Sequence, residues 1–222
     1  MQTLEKISEE VPSSIVREGG LGALLTYLDF FSFHVQRTAV TAAANCCRSV
    51  SPDSFTMVRD VMPIFTNVLS YPDQRVVEQA CLAVVRITES YRHYPDKLEE
   101  ILSADLLKAV RALLNPDSTT VGPRTYTQIL KMLSTAAKAS PEVSVALVEL
   151  NIADTLYHLL MGVAAPEWTS DEGPLVLVRP DDDMLVMQNL VQRPKEQIQE
   201  TLGLVCELLP PLPKGASRFA SL

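Results

Sequence analysis

Two adjacent thiols, Cys46 and Cys47, follow Asn45 in the stretch AAANCCRSV, and no other residues in the chain invite a chemical reading so directly. A bridge between them is disfavoured. Neighbouring Cα atoms lie about 3.8 Å apart, whereas a relaxed disulfide wants roughly 4.4–6.8 Å. On a helix their side chains would also diverge by about 100°. A zinc site needs four Cys or His ligands at short paired spacings. Cys46, Cys47, Cys81 and Cys206 show no such spacing, and His34, His93 and His158 fall in separate segments. A nucleophile needs a base and an oxyanion-stabilising element, and Cys46, Cys47 and Cys206 have no histidine near them in sequence. What remains is packing: Ala39, Ala42, Ala43, Cys46 and Val50 form a thin stripe that lets another helix approach closely. Free Cys behaves as a small hydrophobe, so the cysteines read as core. Neither a metal nor a cofactor is expected.

Two other stretches have bland readings. VREGGLGALL carries Gly19, Gly20 and Gly22 but has no preceding strand and no following Lys-Ser/Thr, so it marks a helix stop and a helix start. ESYRHYP gathers Tyr91, Arg92, His93 and Tyr94 at a helix end, where basic groups suit the last carbonyls. No paired-carboxylate, triad or P-loop pattern appears, so an independent enzyme is the least favoured reading.

The elements that hold these residues are helical. The chain has 222 residues, 47% hydrophobic, with only 8 Gly and 6% aromatics, a composition that favours helices over sheets. No apolar run is long enough to span a membrane, and MQTLEKISEE has no signal-peptide core. A net charge of −8 without a Lys/Arg cluster argues against nucleic acid as a partner. Unpatterned cysteines predict a reducing compartment, cytosolic or nuclear.

The helices repeat. Three segments share an apolar helix ending in a Leu pair, a polar turn with Pro or Asp, and a longer amphipathic helix. Aligning Leu28, Leu69, Leu114 and Leu160 gives steps of 41, 45 and 46 residues. From Asp73, the residues Val76, Val77, Ala80, Cys81, Val84 and Ile87 make one apolar face, with Arg75, Glu78, Gln79, Arg86 and Glu89 on the other. Asp in SPDSF and YPDKL is expected to supply a cap and Pro to end or open a helix, with YPDQ and NPDS turning the chain between helices in the same way. A helical unit of about 40–47 residues predicts an all-α, right-handed armadillo- or HEAT-like solenoid, here of about three and a half repeats.

The expected borders are a preceding helix at 1–17, repeats at 18–56, 57–98 and 99–143, and a partial repeat at 144–162. An acidic, Pro-rich loop or disordered insertion follows at 163–183, then closing helices at 184–215 and a tail at 216–222. Leu4, Ile7 and Val11 are expected to face the first complete repeat. Truncating residues 1–17 should then destabilise the fold.

Several strings are more specific than a generic armadillo unit. IVREGGL, TYLDFF, QRTA, AANCCR, PDSF, DQRVVEQACL and ESYRHYPDKLEE resemble the armadillo region of one HECT-type ubiquitin ligase family. That family includes the fungal ubiquitin-fusion-degradation ligase and the animal thyroid-receptor-interacting ligase. The tail VCELLPPLPKG, residues 205–215, is similar to the segment closing that region. The resemblance covers residues 4 to about 162 and about 194 to 215. It implies a non-catalytic scaffold that engages ubiquitin, or ubiquitylated or N-degron substrates, for chain elongation and proteasomal degradation. The family's HECT module lies at the far C-terminus and has no counterpart here, so the chain reads as a fragment or truncated product, and as a monomer.

In armadillo folds the third helix of each unit lines a concave groove, where importin-like members use Trp and an Asn four residues later. Those positions hold Thr41 and Asn45, then Leu82 and Arg86, then Lys131 and Thr135. The Trp is absent and the Asn survives once, which speaks against an importin-like peptide adaptor. The groove candidates are Arg37, Thr41, Asn45, Glu78, Arg86 and Lys131, with the two arginines favoured as contacts. The competing reading is a structural spacer between flanking domains.

Overall fold

The structure is a computed structural model, which describes residues 2–115, 119–165 and 193–209. Its helices are α1 (Gln2–Glu10), α2 (Pro12–Arg17), α3 (Gly20–Leu25), α4 (Phe33–Cys46), α5 (Phe55–Val68), α6 (Gln74–Tyr91), α7 (Pro95–Ile101), α8 (Ala104–Leu113), α9 (Pro123–Ala139), α10 (Pro141–Glu149), α11 (Ile152–Met161) and α12 (Lys195–Leu208). Short 3₁₀ turns at Leu28–Phe30 and Pro52–Ser54 precede α4 and α5. The fold is an all-α solenoid.

The helices sort into two layers. An inner row runs α1, α4, α6, α9, α12, each packed on the next, while α3, α5 and α8 stack behind it. The small stripe of α4 accounts for part of this close approach. Ala39, Ala42, Ala43, Cys46 and Cys47 are fully buried, with α1 on one side and α6 on the other. Burying apolar surface between neighbours, at about 25 cal/mol per Å², is what makes such units depend on one another.

Chain punctuation is local and chemical. The Asp73 carboxylate accepts from the Arg75 and Val76 amides at 3.0 and 3.2 Å and starts α6. Ser103 and Ser140 cap α8 and α10 in the same way. At SPDSF the cap is Ser51, whose hydroxyl accepts from the Asp53 amide at 3.3 Å, and not Asp53. Ser51 precedes the turn in extended backbone, which aims its hydroxyl at the free amides, whereas Asp53 already lies inside it. At YPDKL, α7 opens on Pro95 with no side-chain cap, because Asp96 already lies in its first turn. Gly19 takes φ +76° between α2 and α3, a conformation suited to glycine.

Two expectations about faces change. Leu4, Ile7 and Val11 point outward, at 42%, 39% and 47% exposure, while Ser8 is the buried residue of α1. The helix meets α4 through Ser8, and the apolar residues around it stay only partly covered, Leu4 bordering a shallow hollow with Ile15, Gly20 and Leu24. Cys206 is exposed, unlike the other three thiols. It sits two residues beyond buried Leu204, about 200° around α12.

The unit opened by α10 and α11 continues beyond Gly162. After residues 166–192, α12 packs against α9 and α11 and takes the inner-row place of that unit. Gln197 reaches the Pro123 carbonyl at 3.4 Å across this junction. The expected acidic loop falls mostly outside the described residues, as do the first closing helix and the tail.

Candidate functional site

Among the described residues, two hollows lie along the inner row. The first, about 470 Å³, lies among α1, α4 and α6 and is lined by Glu5, His34, Arg37, Thr41, Arg75 and Glu78, with Gln2, Thr38 and Gln79 completing its wall. The second, about 390 Å³, lies between α9 and α12 and includes Arg124, Gln128, Lys131 and Glu196. Three of the groove candidates, Arg37, Thr41 and Glu78, therefore share one hollow, and Lys131 belongs to the other.

Most of these side chains already hold something. The Arg37 guanidinium pairs with Asp73 at 2.6 Å, which ties α4 to the start of α6. That hydrogen bond, more than any other influence, holds the Asp73 carboxyl below its ordinary value of 3.8. Glu78 accepts from the Gly122 amide at 2.7 Å and from the Gln74 amide side chain at 3.1 Å. Gly122 precedes the first turn of α9, so a carboxylate from one unit satisfies a free amide and complements the helix dipole of the next. Arg86 donates to the Ala44 carbonyl in the last turn of α4, a terminal acceptor that the helix itself leaves open. Burial draws its pKa below the usual arginine value, and Arg48 adds to the effect. Each of these links spans one repeat.

Asn45 is buried at 8% exposure, not presented to the groove. Its side-chain amide donates to the Ser8 hydroxyl at 3.2 Å, because α1 packs directly over this end of α4. Thr41 is half-buried, its hydroxyl turned back on the Arg37 carbonyl at 2.8 Å. Lys131 is exposed and has no ion-pair partner among the described residues. Sequence reasoning missed Arg75 and Arg124. Both lie on the same stripes as the chosen residues, Arg75 eleven positions before Arg86 and Arg124 seven before Lys131, and extending each stripe by helical period would have reached them.

The three buried thiols are unsuited to nucleophilic work. Burial pushes Cys46 up to about 11 and Cys81 up to about 12, and raises Cys47 further. Nucleophilicity belongs to the thiolate, which these environments disfavour. Among the described residues, no three His, Cys, Asp or Glu side chains gather as a metal site.

The sequence is 36% identical over 220 residues to the E3 ubiquitin-protein ligase UPL3 of Arabidopsis thaliana, covering 97% of this chain and 11% of that protein. It is 32% identical over 214 residues to the E3 ubiquitin-protein ligase TRIP12 of Danio rerio, covering 96% of this chain and 10% of that one. The chain is homologous to a segment of this HECT-type ligase family. It spans only about a tenth of the length of these relatives. No family model matches it. In fold it is similar to a crystal structure of computationally designed armadillo repeat proteins for modular peptide recognition. That likeness has a TM-score of 0.66 at 16% identity and covers 93% of this chain and 73% of that one. Two layers of short and long helices, an uninterrupted inner row and armadillo neighbours agree on the same architecture. The chain is an armadillo-like solenoid.

Proposed function

We propose that this chain is the partner-binding solenoid of a HECT-type E3 ubiquitin ligase. It engages ubiquitin, or a ubiquitylated or N-degron substrate, on its inner face while a module elsewhere in the ligase performs the transfer. One observation carries the reading: a chain homologous to these ligases over nearly its whole length lays its long helices in one continuous, hollowed row. Burial of Cys46, Cys47 and Cys81 favours a packing role for those three, since thioester transfer needs an accessible thiolate. Four free cysteines favour a cytosolic or nuclear setting.

The test is a titration of isotope-labelled ubiquitin with the purified chain, followed by NMR. Saturable, localised shifts that weaken in Arg75→Glu and Lys131→Glu support the reading. Reversing Arg37 or Arg86 is a poorer probe, because both brace neighbouring helices. A second reading, a spacer that fixes the distance between flanking domains, has its own support. Arg37, Glu78 and Arg86 each join one unit to the next, as a rigid strut requires. A flat titration with both ubiquitin and substrate peptides is the outcome the spacer expects.

A further inference from the structure

Charge is segregated along the inner row. The chain carries −8 overall, yet α4, α6 and α9 together hold Arg37, Arg75, Arg86, Arg124, Lys131 and Lys138 against only Glu78 and Glu89. Arg37 and Arg86 are engaged internally. Arg75, Arg124 and Lys131 are exposed and make no ion pair or side-chain hydrogen bond among the described residues. Arg75 stands in the first hollow, and Arg124 and Lys131 stand in the second, on adjoining helices. Lys138 lies two helical turns beyond Lys131, and it too is exposed. The acids facing these cations are few. Glu5 and Glu78 share the first hollow, with Glu78 committed to Gly122 and Gln74, and Glu196 borders the second.

Among the described residues, the row of asparagines by which importin-like members read a partner's main chain is also missing. The one asparagine at a ladder position, Asn45, is buried against Ser8. Selection is left to side-chain charge, in a groove whose unpaired cations raise the local concentration of anionic groups.

We infer that the inner face across α4, α6 and α9 is the docking surface for an extended, acidic segment of a partner protein, its carboxylates meeting Arg75, Arg124 and Lys131. The inference rests on the reading of the inner face as a binding surface, and it names the chemistry of what binds. Packed helices are about 8–10 Å apart and an extended chain advances about 3.3 Å per residue, so matching acids fall about three residues apart. A protein segment suits the surface better than a nucleic acid. The row ends in acidic helices, with Glu5, Glu9 and Glu10 on α1 and Glu196, Glu200 and Glu207 on α12, which would repel a continuous phosphate backbone. Among the described residues no Phe, Tyr or Trp lines either hollow to stack successive bases, and His34 is the single aromatic ring there.

The experiment measures fluorescence anisotropy of the full chain with three labelled probes of about twelve units, enough to cross three helix spacings. They are a peptide with Glu at every third position, the same peptide with Lys, and single-stranded oligouridine. The expected result is saturable binding of the Glu peptide alone, weakened by added salt. Binding should fall about tenfold or more in the Arg75→Glu, Arg124→Glu, Lys131→Glu variant, with an unchanged melting curve. Equal or tighter binding of the Lys peptide or the RNA overturns the inference, as does a triple variant that binds like the parent. Ubiquitin shifts together with a silent Glu peptide overturn it while leaving the groove reading intact. Silence from the Glu peptide, ubiquitin and degron peptides together removes both.

Discussion

Thr88 lies in α6 at 1% exposure, and its hydroxyl finds no hydrogen-bond partner among the described residues. An unsatisfied buried hydroxyl costs about 1–3 kcal/mol, and valine reproduces the shape without the polar atom. Thr88→Val should therefore raise the melting temperature by about 2–4 °C for each kcal/mol recovered. A lowered melting temperature would mean the hydroxyl has a partner. The thiols make a second prediction at this scale. Cys46, Cys47 and Cys81 are buried and Cys206 is exposed, so a thiol reagent should titrate one group quickly in the native chain and all four in denaturant. The pH dependence has a fixed sign. Cys46 is raised from 9.0 to about 11 by burial, so the unfolded chain releases this proton first. Its contribution is complete below pH 9 and is lost as pH climbs to about 11. Cys46→Ala should flatten that alkaline decline in a denaturation series, and an unchanged slope would assign the decline elsewhere.

At the scale of the element, Gly20 and Gly22 differ although they are two residues apart on α3. A Cβ on Gly20 would meet the Ile15 side chain at 2.3 Å and its backbone oxygen at 2.8 Å, contacts that require the backbone to move. A Cβ on Gly22 meets nothing within 4 Å. Gly20→Ala should cost about 1–3 kcal/mol through overpacking. Gly22→Ala should add about 0.5–1 kcal/mol through helix propensity. Chemical denaturation of the two variants checks both signs. The sequence marks GGLG as a helix stop and start, which is what Gly19 and α3 make of it. Which glycine is indispensable depends on how closely α2 approaches, and no local pattern encodes that distance. The same division runs through the groove. The apolar stripe of α6 was readable because its period alone selects Val76, Val77, Ala80, Cys81, Val84 and Ile87 for burial, and all are buried. The opposite stripe shows which side chains point away from the core, but not what they reach. Glu78 finds an amide 44 residues on, and Arg86 a carbonyl 42 residues back. Asn45 was legible as a ladder position and illegible as buried, because its cover is α1, a helix 37 residues earlier at the hydrogen bond.

On the scale of the whole molecule, a solenoid is a one-dimensional stack in which each unit rests only on its neighbours. Stability should then follow position in the row. Helix α6 sits at its middle, flanked by α4 and α9, and buries nine residues, among them Ile87 and Tyr91. Tyr91 also locks the layer behind. Its ring meets Phe55 edge-on at 5.5 Å, its hydroxyl donates to the Ser51 carbonyl at 3.1 Å, and the Lys97 ammonium lies over it. Helix α1, at one end, buries only Ser8, and α12, at the other, buries Gln197, Thr201 and Leu204. Each end helix has a neighbour in the row on one side only, so opening it breaks one packed junction and not two. Native-state hydrogen exchange should show the slowest amides in α6, intermediate ones in α4 and α9, and the fastest in α1 and α12. Removing residues 2–10 should speed exchange in α4 most, since α4 would lose the cover over Asn45, and should hardly affect α9. Uniform exchange across the row would instead mean one cooperative unit. In that case the charged links Arg37–Asp73, Glu78–Gly122 and Arg86–Ala44 would couple the repeats more tightly than their packing alone implies.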